Sequence, residues 1–136
     1  MTKAIVFDCS GVFYLSPVKQ FDPELTALVR RLRPQYKTGM LTNAQRSSID
    51  RLLAEHDATD LFDAVLASSE SQYMKPDREI FAEIAERLDV ALPEMLFIDD
   101  WAGNTEAATR YGIRSIVYEN PRQLEQELLK LEIHLS

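Results

Sequence analysis

Lys3-Ala4-Ile5-Val6-Phe7-Asp8-Cys9-Ser10-Gly11 opens the chain with an apolar run that stops at a carboxylate. Apolar runs of about four to eight residues bounded by turn signals read as strands buried on both faces. A strand is therefore expected over 3–8, with Asp8 at its carboxyl tip. The same grammar recurs along the chain. Lys37 to Leu41 leads into Thr42-Asn43, Met95 to Asp99 leads into Asp100, and Ala64 to Ala67 and Ser115 to Tyr118 complete a set of five strands.

Helical patterns separate these strands. Asp22-Pro23 supplies an N-cap and a first-turn proline, after which Leu25, Leu28, Val29 and Leu32 recur on one face. Asn120-Pro121 opens a last helix striped by Leu124, Leu128 and Leu131. Ile49, Leu52 and Leu53 mark a second helix, and Ile80, Phe81, Ile84 and Leu88 a third. A short helix over about Gly103 to Tyr111 is expected to stop at Gly112 as its C′ residue. Strands alternating with helices predict an α/β fold: a three-layer, doubly wound, Rossmann-like parallel sheet of five strands with helices on both faces.

The 136 residues, 46% of them hydrophobic, form a single expected domain over 1–136 with material for a real core. A net charge of −7 argues against nucleic-acid and anionic-membrane partners. The densest basic run, Arg30-Arg31-Leu32-Arg33, reads as a helix end where cations suit the dipole. One cysteine excludes an internal disulfide, and no apolar stretch approaches the roughly 20 residues of a membrane span. With no signal-peptide pattern ahead of the first strand, a reducing, cytoplasmic setting is expected.

In a doubly wound sheet, ligands bind beyond the carboxyl ends of the strands. Asp8, Thr42 and Asp99-Asp100 all fall there. Each alone has an ordinary reading: a turn or cap for Asp8, a loop and N-cap for Thr42-Asn43, a helix entry for Met74-Lys75-Pro76-Asp77, and solvated charge for Asp99-Asp100. In order, type and spacing, however, the series from Asp8 to Asn104 resembles the haloacid dehalogenase superfamily, most of whose members are phosphatases with an aspartate nucleophile. The resemblance implies that the strand carrying Asp8 is central. It also implies a core without a cap domain, since neither Val12 to Phe21 nor Ser68 to Met74 has room for one.

The resemblance further implies a division of labour. Asp8 is the expected nucleophile, Lys75 the catalytic cation, and Thr42 and the Asn43 main chain the phosphate-binding groups. Mg²⁺ is the expected cofactor, held by Asp8, the carbonyl of Ser10 and Asp100, with Asp99 behind them and Asn104 orienting Asp100. Hard divalent cations of this kind are bound by one or two carboxylates together with a phosphate.

Ser10 departs from the family pattern, which has a second aspartate there to protonate the leaving oxygen and then activate water. A positioned acid–base group contributes roughly 10²–10⁴ in rate, so attenuated turnover is expected. The reading is a Mg²⁺-dependent phosphatase acting on a phosphorylated small molecule or macromolecule, with a homo-oligomer as one way to cover the open site. The alternatives are a catalytically silent domain that binds a phosphorylated ligand or a protein, and, less favoured, a dehalogenase. Cys9 reads as a small buried thiol. Phe13, Tyr14 and Trp101 fit either a site mouth or a subunit contact.

Overall fold

A computed structural model describes residues 1–9, 12, 14–15 and 20–136. The elements run β1 (Ala4–Phe7), β2 (Tyr14–Leu15), β3 (Gln20–Phe21), α1 (Pro23–Leu32), β4 (Lys37–Thr42), α2 (Arg46–Glu55) and β5 (Ala64–Ala67). They continue as α3 (Arg78–Leu88), β6 (Met95–Asp99), α4 (Ala102–Arg110), β7 (Arg114–Val117) and α5 (Pro121–Lys130). Five strands form one parallel sheet in the order β5-β4-β1-β6-β7, with β1 central as expected.

The alternation along β1 explains the two layers of helices. Ile5 and Phe7 join Met40, Leu96 and Ile98 in a core shared with Leu25, Leu28, Val29 and Leu32 of α1, Ile49 and Leu53 of α2, and Leu124 and Leu128 of α5. Ala4 and Val6 face the other way, into a core with Leu41, Leu66, Phe97, Ile80, Phe81 and Ile84. All four residues of β1 are fully buried, which is why the run is apolar without interruption. Phe81 meets Phe97 edge to face at 5.0 Å between ring centres. Truncating either ring to alanine should cost about 3–5 kcal/mol.

The helix ends follow their sequence signals. The Asp22 carboxylate accepts from the Glu24 and Leu25 amides, and Asn120 Oδ1 accepts from the Gln123 amide. Gly112 has φ +88° and closes α4, its N–H bonding the Thr109 carbonyl while the Ile113 N–H bonds that of Ala108. This is a Schellman arrangement, and glycine takes its left-handed position without steric cost. Arg30 and Arg31 lie in the last turn of α1, and each is ion-paired, with Asp60 and Glu125 respectively.

Several bounds differ from expectation, β1 covering Ala4–Phe7 rather than 3–8 and α4 covering Ala102–Arg110. The second sheet strand runs on to Thr42, because Thr42 still pairs with Ala67, and β7 begins and ends one residue earlier than its apolar run. An antiparallel ribbon, β2 against β3, stands between β1 and α1; two-residue strands leave no periodicity to read. Ser10, Gly11 and Phe13 lie outside the described residues. Among the described residues, no helix is long and apolar enough to cross a membrane.

Candidate active site

The chain passes from β1 to β4 and β5 on one side, then returns to lay β6 on the other. The reversal places a crevice beyond the ends of β1 and β6, and Asp8 and Asp99 stand at those ends. The Asp8 N–H bonds the Ile98 carbonyl at 2.9 Å, so the two strand tips are tied together.

Lys75 reaches into this crevice from the loop before α3. Its ammonium donates to Asp8 Oδ1 at 2.7 Å and to Asp99 Oδ2 at 3.0 Å, and it lies 5.8 Å from the centre of the Phe97 ring. All three charged side chains are buried, Asp99 completely. Removing one partner from such a buried pair leaves an uncompensated charge, which is far more costly than losing a surface ion pair.

Asp99 accepts three hydrogen bonds from protein donors. Besides Lys75, its Oδ2 accepts from Asn104 Nδ2 at 3.0 Å, and its Oδ1 accepts from the Trp101 amide at 3.0 Å. Asn104 was expected to orient Asp100; its amide points instead to Asp99. The reason is local: Asn104 lies in the first turn of α4 and is buried, whereas Asp100 is exposed. The other amide atom, Asn104 Oδ1, is buried with no hydrogen-bond partner.

Thr42 ends β4 fully buried, and its hydroxyl oxygen accepts from the Ala44 amide at 3.1 Å, leaving the hydroxyl proton to donate. Asn43 does something the sequence did not suggest. Its Oδ1 accepts the Lys75 N–H at 3.0 Å and its Nδ2 donates to the Lys75 carbonyl at 3.3 Å. The lysine loop is held again from the residue that caps α4, where the Tyr111 hydroxyl donates to the Pro76 carbonyl at 3.0 Å. These supports join residues far apart in sequence, and no local signal announces them.

One carboxylate oxygen from each of Asp8, Asp99 and Asp100 falls within 4.8 Å of the others. Three carboxylates against one ammonium leave an excess of negative charge, and the donors are all hard oxygens. This set fits Mg²⁺ better than a softer metal. Asp8 and Asp100 have oxygen capacity to give, while Asp99 is committed to Lys75, Asn104 and Trp101. Ser10, whose carbonyl was expected to contribute, lies outside the described residues.

Burial pushes the Asp8 carboxyl up from its ordinary 3.8 to about 6, against the downward pull of Lys75 and with the Asp99 charge adding to the rise. Asp100 is also raised, by partial burial and then by its hydrogen bond to Asp99 and the Asp99 charge. The Cys9 thiol is pushed up to about 12 by burial and the neighbouring Asp8. That makes it the inert buried thiol expected of it.

A family model for haloacid dehalogenase-like hydrolases matches residues 12–112. Acyl-CoA dehydrogenase family member 10 of Mus musculus is 31% identical over 122 residues, which cover 87% of this chain and 11% of that protein. The chain thus spans only a small part of the length of this curated relative. Among solved structures, a predicted HAD-like family hydrolase from Porphyromonas gingivalis has a TM-score of 0.79 at 21% identity, covering 98% of this chain and 99% of that one. A HAD family enzyme from Bacteroides thetaiotaomicron, in complex with magnesium and inorganic phosphate, has a TM-score of 0.71 at 17% identity, covering 88% and 95%.

Proposed function

The chain belongs to the haloacid dehalogenase-like hydrolase family, and from that premise we propose that it is a Mg²⁺-dependent phosphatase in which Asp8 is the nucleophile. The observation that carries the reading is the buried Lys75 ammonium, bonded at once to Asp8 and Asp99 beside a cluster of three carboxylates.

Asp8 reacts as its carboxylate. Its carboxylate oxygen attacks the phosphorus of a phosphate monoester, and the bond from phosphorus to the ester oxygen breaks, its electron pair leaving with that oxygen. The leaving oxygen takes its proton from water, because position 10 offers a hydroxyl where a carboxylic acid would serve better. Water then attacks the aspartyl phosphate at phosphorus, releasing inorganic phosphate and restoring the Asp8 carboxylate.

Lys75 offsets the negative charge on nucleophile and phosphoryl group, and the Thr42 hydroxyl donates to a phosphate oxygen. Mg²⁺ held by Asp8 and Asp100 would supply further charge neutralisation and alignment. Asn43, Tyr111 and Asn104 act on the framework, fixing the Lys75 loop and Asp99.

A panel of phosphate monoesters assayed with Mg²⁺, beside Asp8→Asn, tests the reading. It expects release of inorganic phosphate by the native chain and none by Asp8→Asn. Failure to turn over any ester, with phosphate still bound, would instead support a silent phosphate-binding domain.

A further inference from the structure

Among the described residues, six large apolar side chains are exposed, and three of them neighbour site residues in sequence. Tyr73 and Met74, 38% and 52% exposed, immediately precede Lys75, and Trp101, 60% exposed, immediately follows Asp100. Their main chains are pinned. The Tyr73 amide donates to Ser71 Oγ, the Met74 amide to Asp77 Oδ2, and the Trp101 amide to Asp99 Oδ1.

The Trp101 ring lies over Gly103. It lies so close that a Cβ on that residue would stand 2.6 Å from ring atom Cζ2. A side chain at that position would displace the indole from where it lies.

We propose that Trp101, seated on Gly103 and accompanied by Tyr73 and Met74, is the platform that takes the aromatic body of a phosphate monoester while its phosphate lies at Asp8 and Lys75. The inference rests on the phosphatase reading and names the substrate class of that site. Indole and phenol faces stack on flat rings, and a methionine thioether packs well against a ring edge. A protein occupant is disfavoured by size, because a stable interface takes about 800 Å² and 20–30 residues from each side. A polyanionic body is disfavoured by the net charge of −7.

Two esters with similar alkyl leaving groups isolate the effect: 2-phenylethyl phosphate and ethyl phosphate. Trp101 is the sole tryptophan, so its emission reports directly on whether the platform is covered. With Asp8→Asn and Mg²⁺, 2-phenylethyl phosphate should shift that emission to the blue and bind roughly three- to tenfold more tightly than ethyl phosphate. In the active chain the same ratio should appear in KM. It should collapse in Trp101→Ala, with calorimetry as the binding readout there, and in Gly103→Ala, which displaces the ring without removing it.

Turnover of both esters with equal KM and no emission shift would overturn the platform and leave the phosphatase reading standing. A discriminating shift without turnover would keep the platform and remove hydrolysis. An emission shift driven by protein concentration alone would identify the patch as a contact between copies of the chain and overturn the proposal.

Discussion

The side-chain amide of Asn43 grips the main chain of Lys75 on both sides, with Oδ1 on its N–H at 3.0 Å and Nδ2 on its carbonyl at 3.3 Å. The clamp joins the end of β4 to the loop before α3 and fixes where the ammonium emerges between Asp8 and Asp99. Asn43→Ala should cost about 1–3 kcal/mol of stability, the sum of two ordinary hydrogen bonds. It should also lower kcat by tenfold or more, because a small displacement of a catalytic cation is expensive. Urea unfolding and steady-state kinetics check the two effects. Asn43→Asp, which keeps the acceptor, should lie between the native chain and Asn43→Ala.

Mg²⁺ in the millimolar range should raise the melting temperature, since a ligand that binds only the folded chain stabilises it by mass action. Asp100 is exposed and makes no ion pair among the described residues, so Asp100→Ala should fold normally and lose most of that rise. Differential scanning calorimetry with and without Mg²⁺ decides it. An unaltered melting temperature in the native chain would count against a metal site at this cluster.

The raised Asp8 carboxyl gives stability a definite pH dependence in metal-free buffer. The folded chain holds the Asp8 proton more tightly than the unfolded chain, so the contribution is fully present below the ordinary 3.8. It is lost as pH rises through about 6, a decline of up to about 3 kcal/mol. Asp8→Asn should flatten that part of the profile. Mg²⁺ competes with the same proton, so its stabilisation should grow over the same window and level off above about pH 6.

Position 10 predicts a gain of function. Ser10→Asp should raise steady-state turnover by up to about 10²–10⁴ by supplying a group to protonate the leaving oxygen and activate water. The gain should be largest for alkyl esters, whose leaving groups need the proton most. A comparison of alkyl and aryl phosphates in the two proteins measures it.

Much of this was legible in the sequence, for identifiable reasons. Residues 4–7 and 95–99 are buried on both faces, so their apolar runs mark strands without ambiguity, and Asp22, Asn120 and Gly112 announce helix ends through their own chemistry. Asp8, Lys75 and Asp99 converge as their positions at element ends require. The ribbon of β2 and β3 left no signal because each strand is two residues long. The Asn43 clamp and the direction of Asn104 were hidden for another reason: tertiary packing decides them, and Asn43 lies 32 positions from its partner.

Rapid-quench kinetics with an aryl phosphate and Mg²⁺ show whether Asp8 carries a phosphoryl group. An aryl leaving group needs little protonation, whereas hydrolysis of the aspartyl phosphate lacks a base at position 10, so the phosphorylated chain should accumulate. A burst of phenol approaching one per active site is expected, with the phosphoryl group recovered on Asp8 by peptide mapping and no burst from Asp8→Asn. Phenol release at the same rate from Asp8→Asn, or turnover with no phosphoryl group on Asp8 at any time, would contradict it.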